Sequence, residues 1–159
     1  MRYMFATALA ALALHGAPAL AAEQGVTDTE ILIGEVDPFT GPPALLGKAH
    51  SSGLKLAFAE ANEAGVNGRK IKMISEDDGY VTARTLQGLR KVIDVDKVFS
   101  VVGISGSGQS IAAMPVLEKS GVPTIISSAP VSQIFEPARK NVFALGQVYT
   151  QGIKELTAF

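Results

Sequence analysis

A loop rich in glycine and serine, from residue 103 to residue 110, carries the side chains best suited to chemistry. Ser105, Ser107, Gln109 and Ser110 place hydroxyl groups and an amide where a helix is expected to begin. Free backbone N–H groups and the helix dipole attract an anion at such a point, and Gly106 lets a ligand approach the backbone closely. The pattern is typical of a site for a small carboxylate, but serine capping of a helix after a glycine turn would give the same residues.

A second polar stretch, Ser127, Ser128, Ala129 and Pro130, follows the next expected strand. In open parallel sheets, ligands bind outside the carboxyl ends of the strands. The hydroxyl groups of this stretch would therefore converge with Ser107 on one cleft. Ordinary turn chemistry is the alternative interpretation.

The sequence gives little support to catalysis. Asp77 and Asp78 stand just before an expected helix, which favours capping over a catalytic role. His50 has no other metal-ligand residue near it at ligand spacing, which favours a solvated or partly packed side chain. An exported hydrolase would have to combine His50 with Ser105 or Ser107, and no G-x-S-x-G motif is present. We therefore expect a protein that is not an enzyme and that needs no cofactor or metal.

The composition narrows the class of protein further. The chain has 159 residues and no cysteine, which excludes disulfides, thiolate zinc sites and cysteine nucleophiles. Its 14 basic and 15 acidic residues show none of the clustering that nucleic-acid binding requires. The mean hydropathy of +0.26 is high because Arg2 is followed by an apolar run, Met4 to Leu14, and then by Ala19-Leu20-Ala21. This pattern predicts a signal peptide over residues 1–21 and export to the periplasm.

The remaining chain alternates strand-like and helix-like segments. Strands are expected at residues 31–36, 70–75, 98–102, 124–127 and 142–145, and helices at 44–64, 81–95, from about 110 to 119, up to 135 and from 149. In the first helix the apolar residues that recur at helical spacing are Leu46, Ala49, Leu54, Ala57, Phe58 and Ala61. Strands joined by crossovers long enough for helices predict an α/β fold, a doubly wound parallel five-stranded sheet with helices on both faces.

Several segments together resemble one family. They are Ile31-Leu32-Ile33-Gly34, Phe39-Thr40-Gly41-Pro42 with Gly47, the stretch from Ala61 to Ile71, Asp77-Asp78, Val101 to Ser107, and Gly121-Val122-Pro123. The combination resembles the N-terminal lobe of branched-chain amino acid type substrate-binding proteins of ABC transporters, which have the type I periplasmic binding fold. The resemblance runs from about Glu30 to the C-terminus.

The resemblance implies a small-molecule ligand held between two lobes and delivered to an inner-membrane ABC permease. By position, Ser107 would take the ligand carboxylate, with Ser105 and Gly106 beside it, and Ser127, Ser128 and Ala129 would supply contacts from the next loop. Leu46 stands where relatives often have an aromatic wall, and Phe39 and Tyr149 are further candidate contacts. Because Pro130 replaces a hydroxyl residue and Leu46 an aromatic one, a small carboxylate is as plausible a ligand as an amino acid.

The same resemblance sets the expected organisation. Residues 22–148 would form the N-terminal lobe and residues 149–159 the start of a second lobe, so we expect a monomeric chain that is a fragment, a truncated product or a partial gene model. A sensory or regulatory binding domain on the same fold is the competing interpretation, in which the signal passes to a receptor instead of a permease.

Overall fold

The computed structural model describes residues 23–129, 131–146 and 148–158. Its strands are β1 (Glu30–Asp37), β2 (Lys70–Asp77), β3 (Ser100–Ser105), β4 (Thr124–Ser128) and β5 (Val142–Ala144). Its helices are α1 (Ala44–Ala64), α2 (Thr82–Arg90), α3 (Ser107–Ser120), α4 (Ser132–Phe135) and α5 (Tyr149–Leu156), and one π-helical turn, Lys91–Val95, continues α2. The predicted signal peptide and Pro130 lie outside the described residues.

The strands form one five-stranded parallel sheet in the order β2-β1-β3-β4-β5. The chain moves outward from β1 to β2, then crosses back over β1 to β3 and continues to β5. The order therefore switches direction between β1 and β3, where ligands collect in sheets of this kind. The predicted fold class is confirmed.

The two faces of the sheet bury different kinds of side chain, apolar on one face and acidic on the other. Gly34 and Val36 of β1 face α2, since a side chain at Gly34 would meet Val92 and Val36 contacts Gly88. The apolar core lies on this side, and its fully buried members include Leu89, Val101, Ile104, Leu117 and Ile126. Alternate residues of β1 point the other way, towards α1, and two of them are the carboxylates Glu35 and Asp37.

The apolar residues that recur along α1 are not buried, because Leu46, Ala49 and Ala57 are exposed and Leu54, Phe58 and Ala61 are half-buried. The buried residues of this helix are instead Gly47 and Ser51. Gly47 lies so close to the preceding loop that a Cβ would stand 2.2 Å from the Pro38 carbonyl oxygen. The position of α1 against the sheet is therefore determined by close backbone contact and by polar partners on β1. The spacing of hydrophobic residues does not reveal either of these.

The predicted boundaries of β3 were wrong. The strand runs to Ser105 and α3 begins at Ser107, so the expected loop contracts to Gly106. Ile104 has a φ of +63°, which is rare for a β-branched residue. In this conformation the Ile104 side chain lies in the core with an exposure of 0%. Ile104 immediately precedes Ser105, Gly106 and Ser107.

No helix within the described ranges is long and apolar enough to cross a membrane.

Candidate functional site

The loops after β3 and β4 meet at the carboxyl edge of the sheet. The Gly106 N–H donates to the Ser128 carbonyl oxygen at 2.9 Å, which holds Ser107 and Ala129 on neighbouring loops. Ala129 is buried and its carbonyl accepts from the Val131 N–H at 2.8 Å. This contact places Gly106 beside Ser128, and the convergence of the Ser107, Ser127 and Ser128 hydroxyl groups on one ligand cleft stays a prediction.

Ser107 is the first residue of α3 and is half-buried. Gly106 occupies the cap position, and no side chain caps the helix. The Ser107 hydroxyl makes no hydrogen bond to another residue in the described part of the chain. Capping therefore does not occupy it, and the first backbone N–H groups of α3 lie next to a free hydroxyl. This arrangement suits an anionic group.

The other polar residues of this loop have structural partners. Ser110 is buried and its Oγ donates to the Ile104 carbonyl at 3.5 Å, while the Gln109 Nε2 donates to the Tyr80 carbonyl at 3.0 Å. Ser105 is fully buried, and its Oγ donates to the Asp37 Oδ1 at 2.6 Å. The Ser105 hydroxyl is thus directed into the protein, whereas the Ser107 hydroxyl has no hydrogen-bond partner among the described residues.

Asp37 is the centre of a polar cluster beneath α1. Its Oδ2 lies 3.4 Å from the Nδ1 of His50, and the same Nδ1 lies 3.1 Å from the Oγ of Ser127. The His50 side chain is 25% exposed, as expected for a partly packed histidine. A catalytic triad needs the acid and the serine on different ring nitrogens, and here both contact one. Ser105 and Ser107 make no hydrogen bond to His50, so the hydrolase interpretation gains no geometric support.

Burial is the largest influence on Asp37 and raises the pKa of its carboxyl group. The hydrogen bond from Ser105 and the proximity of His50 oppose that rise, and the neighbouring Glu35 adds to it. Glu35 is itself fully buried, and its Oε2 accepts from Ser51 at 3.0 Å and Ser75 at 2.6 Å. Two carboxyl groups therefore lie between β1 and α1.

Asp77 does not cap α2, contrary to the prediction. The cap residue is Val81, without a side-chain hydrogen bond. The Asp77 Oδ1 instead accepts from the N–H groups of Phe39 at 2.8 Å, Thr40 at 3.1 Å and Gly79 at 3.0 Å. Its Oδ2 accepts from the Thr40 hydroxyl at 2.6 Å. Burial alone would raise the pKa of Asp77, but these hydrogen bonds outweigh it and hold the pKa well below its usual range.

Asp78 does not cap α2 either. Its Oδ1 accepts from the Tyr80 N–H at 2.7 Å and its Oδ2 from the Thr85 hydroxyl at 2.6 Å. The carboxylate is buried and ties the loop after β2 to the middle of α2. Together, Asp77 and Asp78 fasten two loops at the carboxyl edge of the sheet.

The remaining predicted ligand contacts are Phe39, Leu46 and Tyr149. Phe39 lines a surface cavity of about 410 Å³ between α1 and β2, together with Lys48, Ser51, Ser52, Lys55 and Ser75. Leu46 is 38% exposed at the start of α1, and Tyr149 is 57% exposed at the start of α5. No hydrogen bond among the described residues links Phe39, Leu46 or Tyr149 to Gly106 or Ser128. Their part in ligand binding stays a prediction.

Tyr80 is a residue of this edge that the sequence did not single out. It has a φ of +64°, and its backbone is held on both sides, by Asp78 and by Gln109. A Cβ at Gly106 would stand 2.7 Å from the Tyr80 ring, so glycine is required for this contact. Tyr80, a residue that is 45% exposed, therefore places its aromatic ring beside the start of α3. Its only sequence signal was its place in the loop after β2.

The described residues contain no group of three or more histidine, aspartate or glutamate side chains arranged to hold a metal ion.

A family model described as periplasmic binding protein matches residues 30–159. A Leu/Ile/Val-binding protein homolog from Brucella suis is 33% identical over 143 residues, which cover 89% of this chain and 34% of that relative. The chain thus spans about a third of the length of the curated relatives it matches.

Solved structures show the same similarity. A branched-chain amino acid transporter substrate-binding protein from Streptococcus pneumoniae, in complex with isoleucine, has a TM-score of 0.68 and 29% identity, over 76% of this chain and 34% of that one. A solute-binding protein of an ABC transporter from Rhodopseudomonas palustris, in complex with 3,4-dihydroxybenzoic acid, has a TM-score of 0.69 and 26% identity, over 77% and 33%.

Proposed function

The chain belongs to the periplasmic binding protein family, and from that premise we propose that it is part of the solute-binding component of an ABC uptake system. Proteins of this type bind substrates and are not enzymes. The ligand in our proposal is a small carboxylate or an amino-acid-like molecule, bound at the carboxyl edge of the sheet.

The contact between Gly106 and Ser128 carries this proposal. It brings together two loops that each end a parallel strand, next to the switch in strand order where such sheets bind ligands. The start of α3 then offers the Ser107 hydroxyl and backbone N–H groups to a negative group. Ser127, Ser128 and Ala129 would contact the ligand from the side of β4.

The two solved relatives suggest the chemistry of the ligand. One holds isoleucine and the other 3,4-dihydroxybenzoic acid, and a carboxylate is the group these ligands share. A carboxylate is also the group that a helix N-terminus favours. We therefore infer that the carboxylate is bound at Ser107 and that the rest of the pocket, including Tyr80, Leu46 and Phe39, selects the remainder of the molecule.

Binding measurements on the chain test the assignment of Ser107. Thermal-shift and calorimetric titrations with 3,4-dihydroxybenzoate and isoleucine should identify a ligand by stabilisation of the folded chain. Ser107→Ala should then weaken binding by roughly 1.5–3 kcal/mol, the contribution of a hydrogen bond to a charged group. Ser120→Ala, at the opposite end of α3, is the matched control and should leave the affinity unchanged.

An affinity that Ser107→Ala leaves unchanged would remove this residue from the site. Failure of both carboxylates, with binding of a ligand that has no negative group, would contradict the proposed ligand class. The proposal also includes delivery of the ligand to an inner-membrane permease from the periplasm, after export directed by residues 1–21. Uptake of the identified ligand in cells that lack this gene should fall, whereas a sensory role would leave uptake unchanged.

A further inference from the structure

The end of β3 reverses the alternation of its side chains. Val102 pairs with Glu35 and shares the α1 side of the sheet, so strict alternation would put Ile104 on that side as well. Ile104 instead lies in the apolar core. Ser105, which alternation would put in the core, instead donates its hydroxyl to the Asp37 Oδ1 at 2.6 Å, on the α1 side. The reversal therefore gives the apolar and the polar side chain each a matching environment.

The backbone at the end of β3 has an unusual conformation that produces this reversal. The φ angles of Gly103, Ile104 and Gly106 are +110°, +63° and +101°. Glycine tolerates such values, whereas a β-branched residue rarely adopts them. In the register of β3 with β4, Gly103 and Ser105 have partners and Ile104 is passed over. A conformation of this kind persists only where the surrounding contacts hold it.

Asp37 is the residue that contacts this bend from the α1 side. Its Oδ1 accepts from Ser105, and a Cβ at Gly103 would stand 2.9 Å from its Oδ2. Asp37 therefore contacts the residues on both sides of Ile104. An ordinary φ at Ile104 would turn the Ser105 hydroxyl towards the apolar core. Asp37 is 0% exposed, so its Oδ1 would then be a buried carboxylate oxygen without a donor, which is costly.

The bend leads directly into the start of α3. Ser105 is followed by Gly106, whose N–H donates to the Ser128 carbonyl oxygen, and then by Ser107, the first residue of the helix. Two consecutive hydrogen bonds, one to β1 and one to β4, thus fix the chain just before Ser107. Their effect on binding follows from geometry, because a hydrogen bond weakens steeply when its donor is misaligned.

We propose that Asp37 is a positioning residue for the carboxylate site. By accepting the hydrogen bond from Ser105, it holds the reversed end of β3 and so sets the position of Ser107 and of the first N–H groups of α3. The effect on binding rests on the proposed function, in which Ser107 binds the ligand carboxylate. The hold of Asp37 on the bend at Ile104 does not depend on any ligand.

NMR of the ¹⁵N-labelled chain tests this hold without a ligand. At positive φ the amide hydrogen and the α-hydrogen of one residue lie close together, so Ile104 should show a strong intraresidue NOE. Asp37→Leu keeps the branched shape and removes both acceptors, and it should weaken this NOE because Ile104 relaxes. Asp37→Asn keeps an acceptor for Ser105 and should preserve the NOE. An unchanged NOE in Asp37→Leu would overturn the proposal, since burial of Ile104 would then hold the bend alone.

A second variant and a matched control accompany Asp37→Leu. Ser105→Ala removes the same hydrogen bond by a smaller change, and it decides the question if circular dichroism shows that Asp37→Leu does not fold. Glu35→Met removes the other buried carboxyl group on this face of β1, whose hydrogen bonds go to Ser51 and Ser75. It should preserve the NOE of Ile104. An equal loss of the NOE in Glu35→Met would contradict a specific role of Asp37.

Titration with 3,4-dihydroxybenzoate tests the consequence for binding. Asp37→Leu should weaken binding by about tenfold or more, because hydrogen bonds to a charged group are then misaligned. Asp37→Asn should bind as the unmodified chain does. Ser107→Ala should cost less affinity in the Asp37→Leu background than in the unmodified chain, since the hydroxyl is already displaced. Additive losses, or equal losses in Asp37→Asn and Asp37→Leu, would overturn the positioning role.

The outcomes separate this inference from the proposed function. If Ser107→Ala weakens binding and Asp37→Leu does not, the proposed function stands and the positioning role is wrong. If the unmodified chain binds neither 3,4-dihydroxybenzoate nor isoleucine, the proposed ligand class is wrong, and the NOE of Ile104 still decides whether Asp37 holds the bend.

Discussion

Replacing Asp77 tests how the loop that follows β1 is held. The carboxylate accepts hydrogen bonds from the N–H groups of Phe39, Thr40 and Gly79 and from the Thr40 hydroxyl. The Arg84 Nη2 lies 3.2 Å from its Oδ2. Asp77→Ala removes all of these acceptors, whereas Asp77→Asn keeps the shape and removes the charge.

The expected loss follows from which bonds are shielded from water. The N–H groups of Phe39 and Gly79 are part-buried, and a hydrogen bond to a charged acceptor contributes roughly 1.5–3 kcal/mol. We count the lower value, about 1.5 kcal/mol, for each of these two hydrogen bonds. The exposed donors regain hydrogen bonds to water and are counted as zero, so Asp77→Ala should lower the free energy of unfolding by about 3 kcal/mol. Neutral acceptors form bonds about half as strong, so Asp77→Asn should lose about 1.5 kcal/mol.

Urea unfolding followed by circular dichroism measures these losses, and the pH dependence identifies their origin. The pKa of Asp77 is lowered in the folded chain from an ordinary value of 3.8. The unfolded state therefore binds the proton more readily, so the stabilisation is complete above that pH and is lost as the pH falls towards the lowered pKa. The difference between the unmodified chain and Asp77→Asn should be constant from about pH 7 to about pH 5 and should narrow below about pH 3.8.

Asp28→Asn is the matched control, because Asp28 is exposed and makes no side-chain hydrogen bond within the described residues. It should leave the free energy of unfolding unchanged. Equal stability of Asp77→Ala and the unmodified chain at neutral pH would refute the reasoning. A loss in Asp77→Asn that stays constant down to pH 2 would show that the charge is not its source.

Two further predictions concern packing. Gly106→Ala should destabilise the chain and weaken ligand binding, because its Cβ would stand 2.3 Å from the Gln109 Oε1 and 2.7 Å from the Tyr80 ring at a φ of +101°. Gly108→Ala is the control, because nothing lies within 4 Å of the added Cβ, and it should stabilise α3 by up to about 1 kcal/mol. Urea unfolding measures both variants. A Gly106→Ala chain that is more stable than the Gly108→Ala chain would contradict the close contact. Leu89→Ala removes a fully buried side chain and should cost about 2–5 kcal/mol. Leu56→Ala, at a residue 73% exposed, should change the free energy of unfolding by less than about 0.5 kcal/mol.

The alternation of apolar and polar residues was sufficient to predict the parallel sheet and most element boundaries. Helix α1 begins and ends at the predicted residues, 44 and 64, because a proline pair precedes it and Gly65 follows it. Ser107 and Ser128 were also predicted to lie on neighbouring loops. These features depend on local spacing and on the rule that parallel strands end at one edge, so the order of residues along the chain is enough to find them.

Tertiary structure alone decided which polar groups those loops use internally. The Ser105 hydroxyl reaches Asp37 across 68 positions, and Ser127 reaches His50 across 77. Asp77 holds Phe39 and Thr40 instead of capping the helix that follows it. A buried carboxylate takes whichever donors the fold brings to it, because leaving it without them is costly. The sequence shows that hydroxyl and carboxyl groups stand near the carboxyl edge of the sheet, and the packing of α1 and β3 against β1 determines which of them keep no internal partner.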